Sequence, residues 1–268
     1  MKKKQPIGVF DSGLGGLTVV KSLIEQMPNE DIVYFGDTAR VPYGGRSCET
    51  IQVYACQDVE FLLSQNVKAI VIACNTADAM ARTLIEQKYD LPVIGVVDPA
   101  AKKAVEVTKN GKIGVICTKA TEKSGAYAQA AKAANADVQI FTKACPLLVP
   151  LVENGRFQQD DKVVQLVLEE YLAPLREAGI DTLVLGCTHY PLLKNAVSAC
   201  LPEVNVICSG EASTDSLRKV LTEKDLVNDR EQPGTHRYFV SDDANGFTEN
   251  AQVFLGRSLD GAVQSVQI

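Results

Sequence analysis

The chain predicts an α/β protein made of two similar, doubly wound domains with mainly parallel sheets and a ligand site in the cleft between them. Three observations carry that expectation. Short β-branched runs alternate with amphipathic segments, the runs are apolar on both faces, and one device appears once in each half: an apolar run closing on a cysteine, then a threonine and a helix-like pattern. The first copy reads KAIVIACNTADAM and ends its run on Cys74. The second reads TLVLGCTHYPLL and ends on Cys187.

Taken in order, strands are expected at IGVF from 7, DIVYFG from 31, KAIVIA from 68, PVIGVV from 92, KIGVIC from 112, DVQIFT from 137, TLVLG from 182 and VNVIC from 204. A strand buried on both faces needs a continuous apolar run, with helices to cover it. Behind Cys74, the residues Ala77, Met80, Ala81, Leu84 and Ile85 fall on one helical face. Behind Cys187, Pro191 sits near a helix start, where its missing N–H does no harm. No long linker or low-complexity segment interrupts the chain, so the repeat sets the boundaries. Residues 1–98 with 208–268 are expected as the first domain, on the Cys74 side, and 99–207 as the second, on the Cys187 side. Asp98 and Pro99 mark the crossing, and the tail from about Cys208 returns to the first domain.

Composition narrows the class. With 268 residues, 46% hydrophobic and 22% charged, the chain is globular and long enough for two compact units. A net charge of -6 provides no basic field for a phosphate backbone, so no nucleic acid partner is expected. No apolar stretch is long enough to span a bilayer, so no membrane is expected either. Lys2, Lys3 and Lys4 look like the start of a secretion signal, but IGVF is too short for its apolar region and Asp11 interrupts it, so the expected location is cytoplasmic. The eight cysteines form no CxxC pair and no His doublet lies near them, which argues against zinc and leaves reduced thiols. Cys200 reads as a small buried hydrophobe on a stripe with Leu192, Leu193, Ala196 and Val197.

Near the start, IGVF runs into DSGLGGLTVVKSL. Gly13, Gly15 and Gly16 permit a tight turn, and a helix opening behind them offers unpaired N–H groups to an anion. The dinucleotide fingerprint needs a glycine where Thr18 stands, so no bound NAD is expected. Asp11 and Ser12 stand at the carboxyl end of the strand, where α/β sheets place functional side chains. Further on, GDTARVPYGGRS from 36 holds Pro42, Gly44 and Gly45 and few apolar residues. It reads equally as a functional loop on a rigid frame, with Tyr43 able to close over a ligand, and as a plain surface connection.

A thiolate is a base as well as a nucleophile when a helix N-terminus or a hydrogen-bond partner lowers its pKa, and both Cys74 and Cys187 precede a helix start. Asp11 and His189 are the expected assistants. One thiol with a histidine would suggest a cysteine hydrolase or transferase. Two thiols at matched strand ends suggest stereoinversion, in which one group takes a proton from one face of a carbon while the other returns a proton to the opposite face. Because the reaction runs both ways, each thiol must be base in one direction and acid in the other.

At these residues the chain resembles the cofactor-independent glutamate racemases of the aspartate/glutamate racemase superfamily. The resemblance rests on DSGLGGLTV at 11, GDTARVPYG at 36, ACNTA at 73, ACPLLVPLVE at 144 and GCTHYPLL at 186, in the expected order. It implies that Cys74 deprotonates D-glutamate and Cys187 deprotonates L-glutamate, with Asp11 assisting near the first thiol and His189 near the second. Ser12, Tyr43, Gly44, Asn75, Thr76 and Thr188 match positions that hold the substrate's amino and carboxylate groups, and Thr118 and Thr121 match further contacts. The resemblance also implies two α/β domains with the site between them, no cofactor such as pyridoxal phosphate, no metal, a homodimer and a role in supplying D-glutamate for peptidoglycan. Cys117, where glycine is usual, and VICSGEAST at 206 depart from the family's pattern. A sibling racemase for aspartate or a hydantoin, a single-cysteine hydrolase and a non-enzymatic regulator on the same fold remain open alternatives.

Overall fold

The computed structural model describes residues 2–268. Among them ten strands form, in chain order β1 (Ile7–Asp11), β2 (Ile32–Gly36), β3 (Ala69–Ile72), β4 (Val93–Ile94), β5 (Lys112–Cys117), β6 (Gln139–Ala144), β7 (Thr182–Gly186), β8 (Asn205–Cys208), β9 (His236–Val240) and β10 (Val263–Ser265). The α-helices are α1 (Leu17–Gln26), α2 (Cys48–Ser64), α3 (Asn75–Lys88), α4 (Val97–Val107), α5 (Lys119–Ser124), α6 (Ala126–Ala134), α7 (Leu148–Glu153), α8 (Lys162–Glu177), α9 (Lys194–Cys200), α10 (Ser209–Glu223) and α11 (Ala244–Leu255).

The strands make two sheets, one in the order β10-β9-β2-β1-β3-β4 and one in the order β6-β5-β7-β8. Every pairing is parallel, with Ile7 beside Ile32 and Ala69 in the first sheet and Ile113 beside Thr182 in the second. The α/β class read from the apolar runs is the one observed. Central strands must be apolar on both sides because helices cover both faces. Along β1 and β3, Val9 and Val71 face one layer, while Phe10, Ile70 and Ile72 face the layer formed by α2 and α3. Each such side chain contributes roughly 1.5–3 kcal/mol on burial. The first layer's apolar cluster is continuous with that of the second sheet, joining Val9 and Leu17 to Leu168 and Leu185. Helix α10 packs against both α1 and α4, at the seam between the sheets.

All eight expected runs contain a strand, with four local differences. PVIGVV yields only the two-residue β4, because Asp78 accepts from the N–H groups of Val96 and Val97 at 2.8 and 2.7 Å and turns the chain into α4. Asp98 and Pro99, expected to mark the crossing, are helical and lie in the first turn of α4, a position that tolerates proline. The helix expected directly after Cys187 starts as a short 3₁₀ turn, Tyr190–Leu193, with Pro191 in its first turn, before α9. Strands β9 and β10 were not expected. They lie in the tail and extend the first sheet, β9 against β2 and β10 at the outer edge.

Because the strands within each sheet are parallel, their carboxyl ends share one edge. Ser12 follows β1, Asp37 follows β2, Cys74 lies two residues beyond β3, Thr118 follows β5 and Cys187 follows β7. That edge is where open α/β sheets place ligands.

Candidate active site

Cys74 is the N-cap residue of α3 and is 6% exposed, and its thiol faces Ser12 Oγ at 3.6 Å. Burial pushes this thiol up to about 12, Asp11 pushes in the same direction, the Ala77 N–H and Ser12 oppose, and the charge on Cys187 adds to the rise. Cys187, 7% exposed, stands 3.9 Å from Nδ1 of His189.

Asp11 lies between the halves, fully buried. Its carboxylate accepts from the Gly13 N–H at 3.0 Å and from Thr188 Oγ1 at 3.4 Å. Burial holds it above the ordinary aspartate value, against the pull of the His189 charge and the hydrogen bonds from Gly13, Gly16 and Thr188. The halves also meet where Thr18 Oγ1 donates to the Thr188 carbonyl at 2.9 Å. This approach requires glycine at 15, since a Cβ there would sit 2.3 Å from Thr188 Oγ1 and 2.5 Å from His189 Nδ1. The glycine-rich turn therefore makes room for the second thiol's loop, and α1 begins only at Leu17, later than Gly13.

His189 is held at both nitrogens. Nε2 lies 3.0 Å from Glu153 Oε1 at the end of α7, Nδ1 faces Cys187 and Thr188, and the ring stands edge-on to Phe254 of α11 with centroids 5.2 Å apart. Burial alone would lower its pKa, but the partners Cys187 and Glu153, with the charges of Cys187 and Asp11, outweigh it and raise His189 to about 10. Sequence reasoning missed both Glu153 and Phe254. Glu153 closes the ACPLLVPLVE block, the one signal that could have found it, whereas Phe254 lies in the tail and is brought in only by packing.

A raised histidine pKa makes stability depend on pH. The His189 contribution to stability is fully present below the unfolded value of 6.5 and is lost as pH rises toward about 10. We expect thermal melts of His189→Asn to lose less stability between pH 7 and 10 than the unsubstituted protein does. Parallel pH dependences in the two proteins would contradict this account of the ring.

The remaining expected residues fall around the same edge. Thr76 on α3 meets the hydroxyls of Thr118 and Thr121 at 2.9 and 3.3 Å, those two meet one another at 3.0 Å, and Thr118 also caps α5. Asn75 is buried, with Oδ1 accepting from Tyr127 at 2.6 Å and Nδ2 donating to Ser209 at 3.4 Å, so its side chain ties α3 to α6 and α10. Ser12 is half-buried beside Cys74. Tyr43 differs from the expectation that its ring closes over a ligand. Its side chain is 1% exposed and points inward, with its hydroxyl 2.5 Å from Asp37 and 3.0 Å from Asp58. Gly44 abuts the opposite wall, where an added Cβ would lie 3.0 Å from Thr118 Cβ. Among the described residues no group of three His, Cys, Asp or Glu side chains is arranged to hold a metal ion.

Two parallel sheets, each carrying a cysteine beyond a central strand, and the shared carboxylate of Asp11 between them describe the Asp/Glu/hydantoin racemases, whose family pattern matches residues 7–217. The chain belongs to this family. It is 48% identical over 264 residues to a glutamate racemase from Syntrophus aciditrophicus, covering 98% of this chain and 97% of that one. Among solved structures, glutamate racemase isoform RacE1 from Bacillus anthracis superposes with a TM-score of 0.95 at 40% identity, covering 99% of this chain and 98% of that one. Glutamate racemase from Francisella tularensis in complex with D-glutamate superposes with a TM-score of 0.90 at 38% identity, with the same coverage.

Proposed function

We propose that this protein is a glutamate racemase that interconverts L- and D-glutamate by moving protons between the α-carbon and two thiols. In this reading Cys187 takes the proton from L-glutamate while Cys74 donates one to the opposite face, and the roles reverse for D-glutamate. The observation that supports the reading is a chain of buried contacts: Cys74 faces Ser12, next to Asp11, and Asp11 accepts from Thr188, next to Cys187, with His189 and Glu153 behind the second thiol. Nδ1 of His189 faces the Cys187 sulfur, and a proton on that ring, favoured by Glu153, would in turn favour the Cys187 thiolate. Cys74, with its thiol pushed up to about 12, is supplied as the acid and becomes a base only when a cation such as the substrate ammonium arrives beside it.

The α-hydrogen of an amino acid is weakly acidic, so the carbanion-like state needs fixed donors in a water-poor cleft. Ser12, the Tyr43–Gly44 main chain, Asn75, Thr76, Thr118, Thr121 and Thr188 fit the holding of the amino and carboxylate groups. Each positioned proton-transfer group supplies about 10²–10⁴ in rate, and the pair requires no cofactor and no metal. The near-complete burial of both thiols supports opening of the units formed by residues 1–98 with 208–268 and by 99–207 to admit substrate. In the same reading the protein is a cytoplasmic homodimer that supplies D-glutamate for peptidoglycan, interacting with a small-molecule substrate rather than with nucleic acid or membrane.

The test uses either enantiomer in deuterated water with no added cofactor. Circular dichroism is expected to decay to zero, with one deuterium entering the product enantiomer while unreacted substrate keeps its hydrogen early in the reaction, because each face has its own base. The two directions must also share one kcat/KM, since enantiomers have equal free energy. Optical activity that persists in the presence of folded protein would falsify the assignment.

A further inference from the structure

Beneath the turn Tyr43–Gly45 lies a group of side chains in mutual contact: buried Asp37 after β2, buried Tyr43, buried Asp58 on α2, and half-buried Arg40, which also donates to Gln57. Both carboxylates are fully buried. Tyr43 stands between them, 2.5 Å from Asp37 Oδ2 and 3.0 Å from Asp58 Oδ2. Arg40 donates from Nε to Asp37 Oδ2 at 2.6 Å and from Nη2 to Asp58 Oδ1 at 2.9 Å, while Ser241 donates to Asp37 Oδ1 at 2.9 Å.

The proton count requires one of the two acids to be neutral, and the surrounding donors select Asp58: Asp37 is met by Arg40, by Ser241 and by the shorter Tyr43 contact, whereas Asp58 is met by Arg40 and the longer Tyr43 contact alone. A phenol has a single hydrogen and cannot donate to both carboxylates, so with both ionised the second contact would set two electron-rich oxygens together without a proton, and one cation would face two anions. If Asp58 carries a proton on Oδ2, it donates to the Tyr43 oxygen, Tyr43 donates to Asp37, Asp58 Oδ1 accepts from Arg40, and the charge of Arg40 is matched by Asp37 alone. The contacts of both carboxyl groups and of the phenol are then each made through a hydrogen. Burial, reinforced by the charges of Asp37 and Asp11 and opposed by Arg40 and Tyr43, also drives the Asp58 carboxyl well above its ordinary value.

We propose that Asp58 is held as a neutral carboxylic acid at neutral pH and, through the phenol of Tyr43, is a positioning residue for the Tyr43–Gly44 main chain at the wall of the substrate cleft. The turn it fixes packs against α3 and α5, the helices that bring Thr76, Thr118 and Thr121. Asp58 itself touches nothing in the cleft, so its effect reaches substrate binding only through the turn. The kinetic part of this inference rests on the glutamate racemase reading; the protonation state does not.

The experiment compares Asp58→Asn, Asp58→Leu and Tyr43→Phe in the full chain. Asparagine reproduces the acid, donating from Nδ2 to Tyr43 and accepting from Arg40 at Oδ1, and is expected to keep the KM for glutamate within about threefold. Leucine at 58 and phenylalanine at 43 are expected to raise KM about tenfold, the fold-change of one lost buried hydrogen bond, with kcat within about threefold. Infrared difference spectra of unsubstituted protein against Asp58→Asn at neutral pH should show a protonated-carboxyl carbonyl band that the variant lacks. Tyr43→Phe removes only one oxygen and reads the same link should Asp58→Leu not fold. The proposal is overturned if that band is absent, if Asp58→Asn is as impaired as Asp58→Leu, or if Tyr43→Phe binds glutamate normally. Should the unsubstituted protein not racemise glutamate at all, the functional reading fails while the infrared band still decides the state of Asp58.

Discussion

Cys187→Ser is expected to stop interconversion of glutamate enantiomers, lowering kcat/KM by about 10³ or more, and yet to leave exchange of the α-hydrogen of D-glutamate with solvent measurable. A hydroxyl in place of a thiol is a far weaker acid and base, and losing a positioned proton-transfer group costs about 10²–10⁴ in rate. The other thiol remains. Cys74 can still remove the proton from its own face and return a solvent-derived one to that face, with retention. Cys74→Ser should mirror this, exchanging at L-glutamate only. Serine and cysteine differ little in size, so melting should barely change, which separates chemical loss from misfolding. Deuterium uptake followed for each enantiomer with each variant is the measurement. Equal exchange of both enantiomers by one variant would sink the assignment of one thiol to each face, as would near-normal racemisation.

Both thiols are legible in the amino-acid sequence alone, for a physical reason. A central parallel strand must be apolar on both faces, so its run is conspicuous, and the polar residues that end it stand out at the edge where ligands bind. Asp11, Cys74 and Cys187 all lie at or just past such ends. The missed strands lack that signature. In HRYFV only Tyr238, Phe239 and Val240 are buried, and in β10 Gln264 and Ser265 are exposed, as the outer part of a sheet allows.

The same logic divides the site. Glu153 lies 36 positions from His189 in the chain and Phe254 reaches the ring from the tail; no local spacing joins them, and only the packing of α7 and α11 against the turn after Cys187 does. Tyr43 shows the converse. Its neighbours Pro42, Gly44 and Gly45 mark a loop, yet two buried carboxylates, one of them on α2, draw the ring inward. Sequence identifies the loop and misplaces the side chain, because orientation depends on partners at Asp37 and Asp58.

Gly15→Ala should show how closely the two halves must meet. The added methyl would sit 2.3 Å from Thr188 Oγ1 and 2.5 Å from His189 Nδ1, and an imidazole held at both nitrogens has little freedom to retreat. The turn after Cys187 must then move by roughly an ångström, a displacement expected to lower activity about 10²-fold. The accompanying strain is expected to cost about 1–3 kcal/mol of stability. Gly45→Ala is the matched control, since a Cβ at Gly45 meets nothing within 4 Å and its stability should stay within about 0.5 kcal/mol. Denaturant unfolding and glutamate turnover of the two variants measure both effects. Normal activity in Gly15→Ala would mean that the contact between the first-strand turn and the Thr188–His189 turn is incidental to catalysis, and the site would need a different account of how the second thiol is held in place.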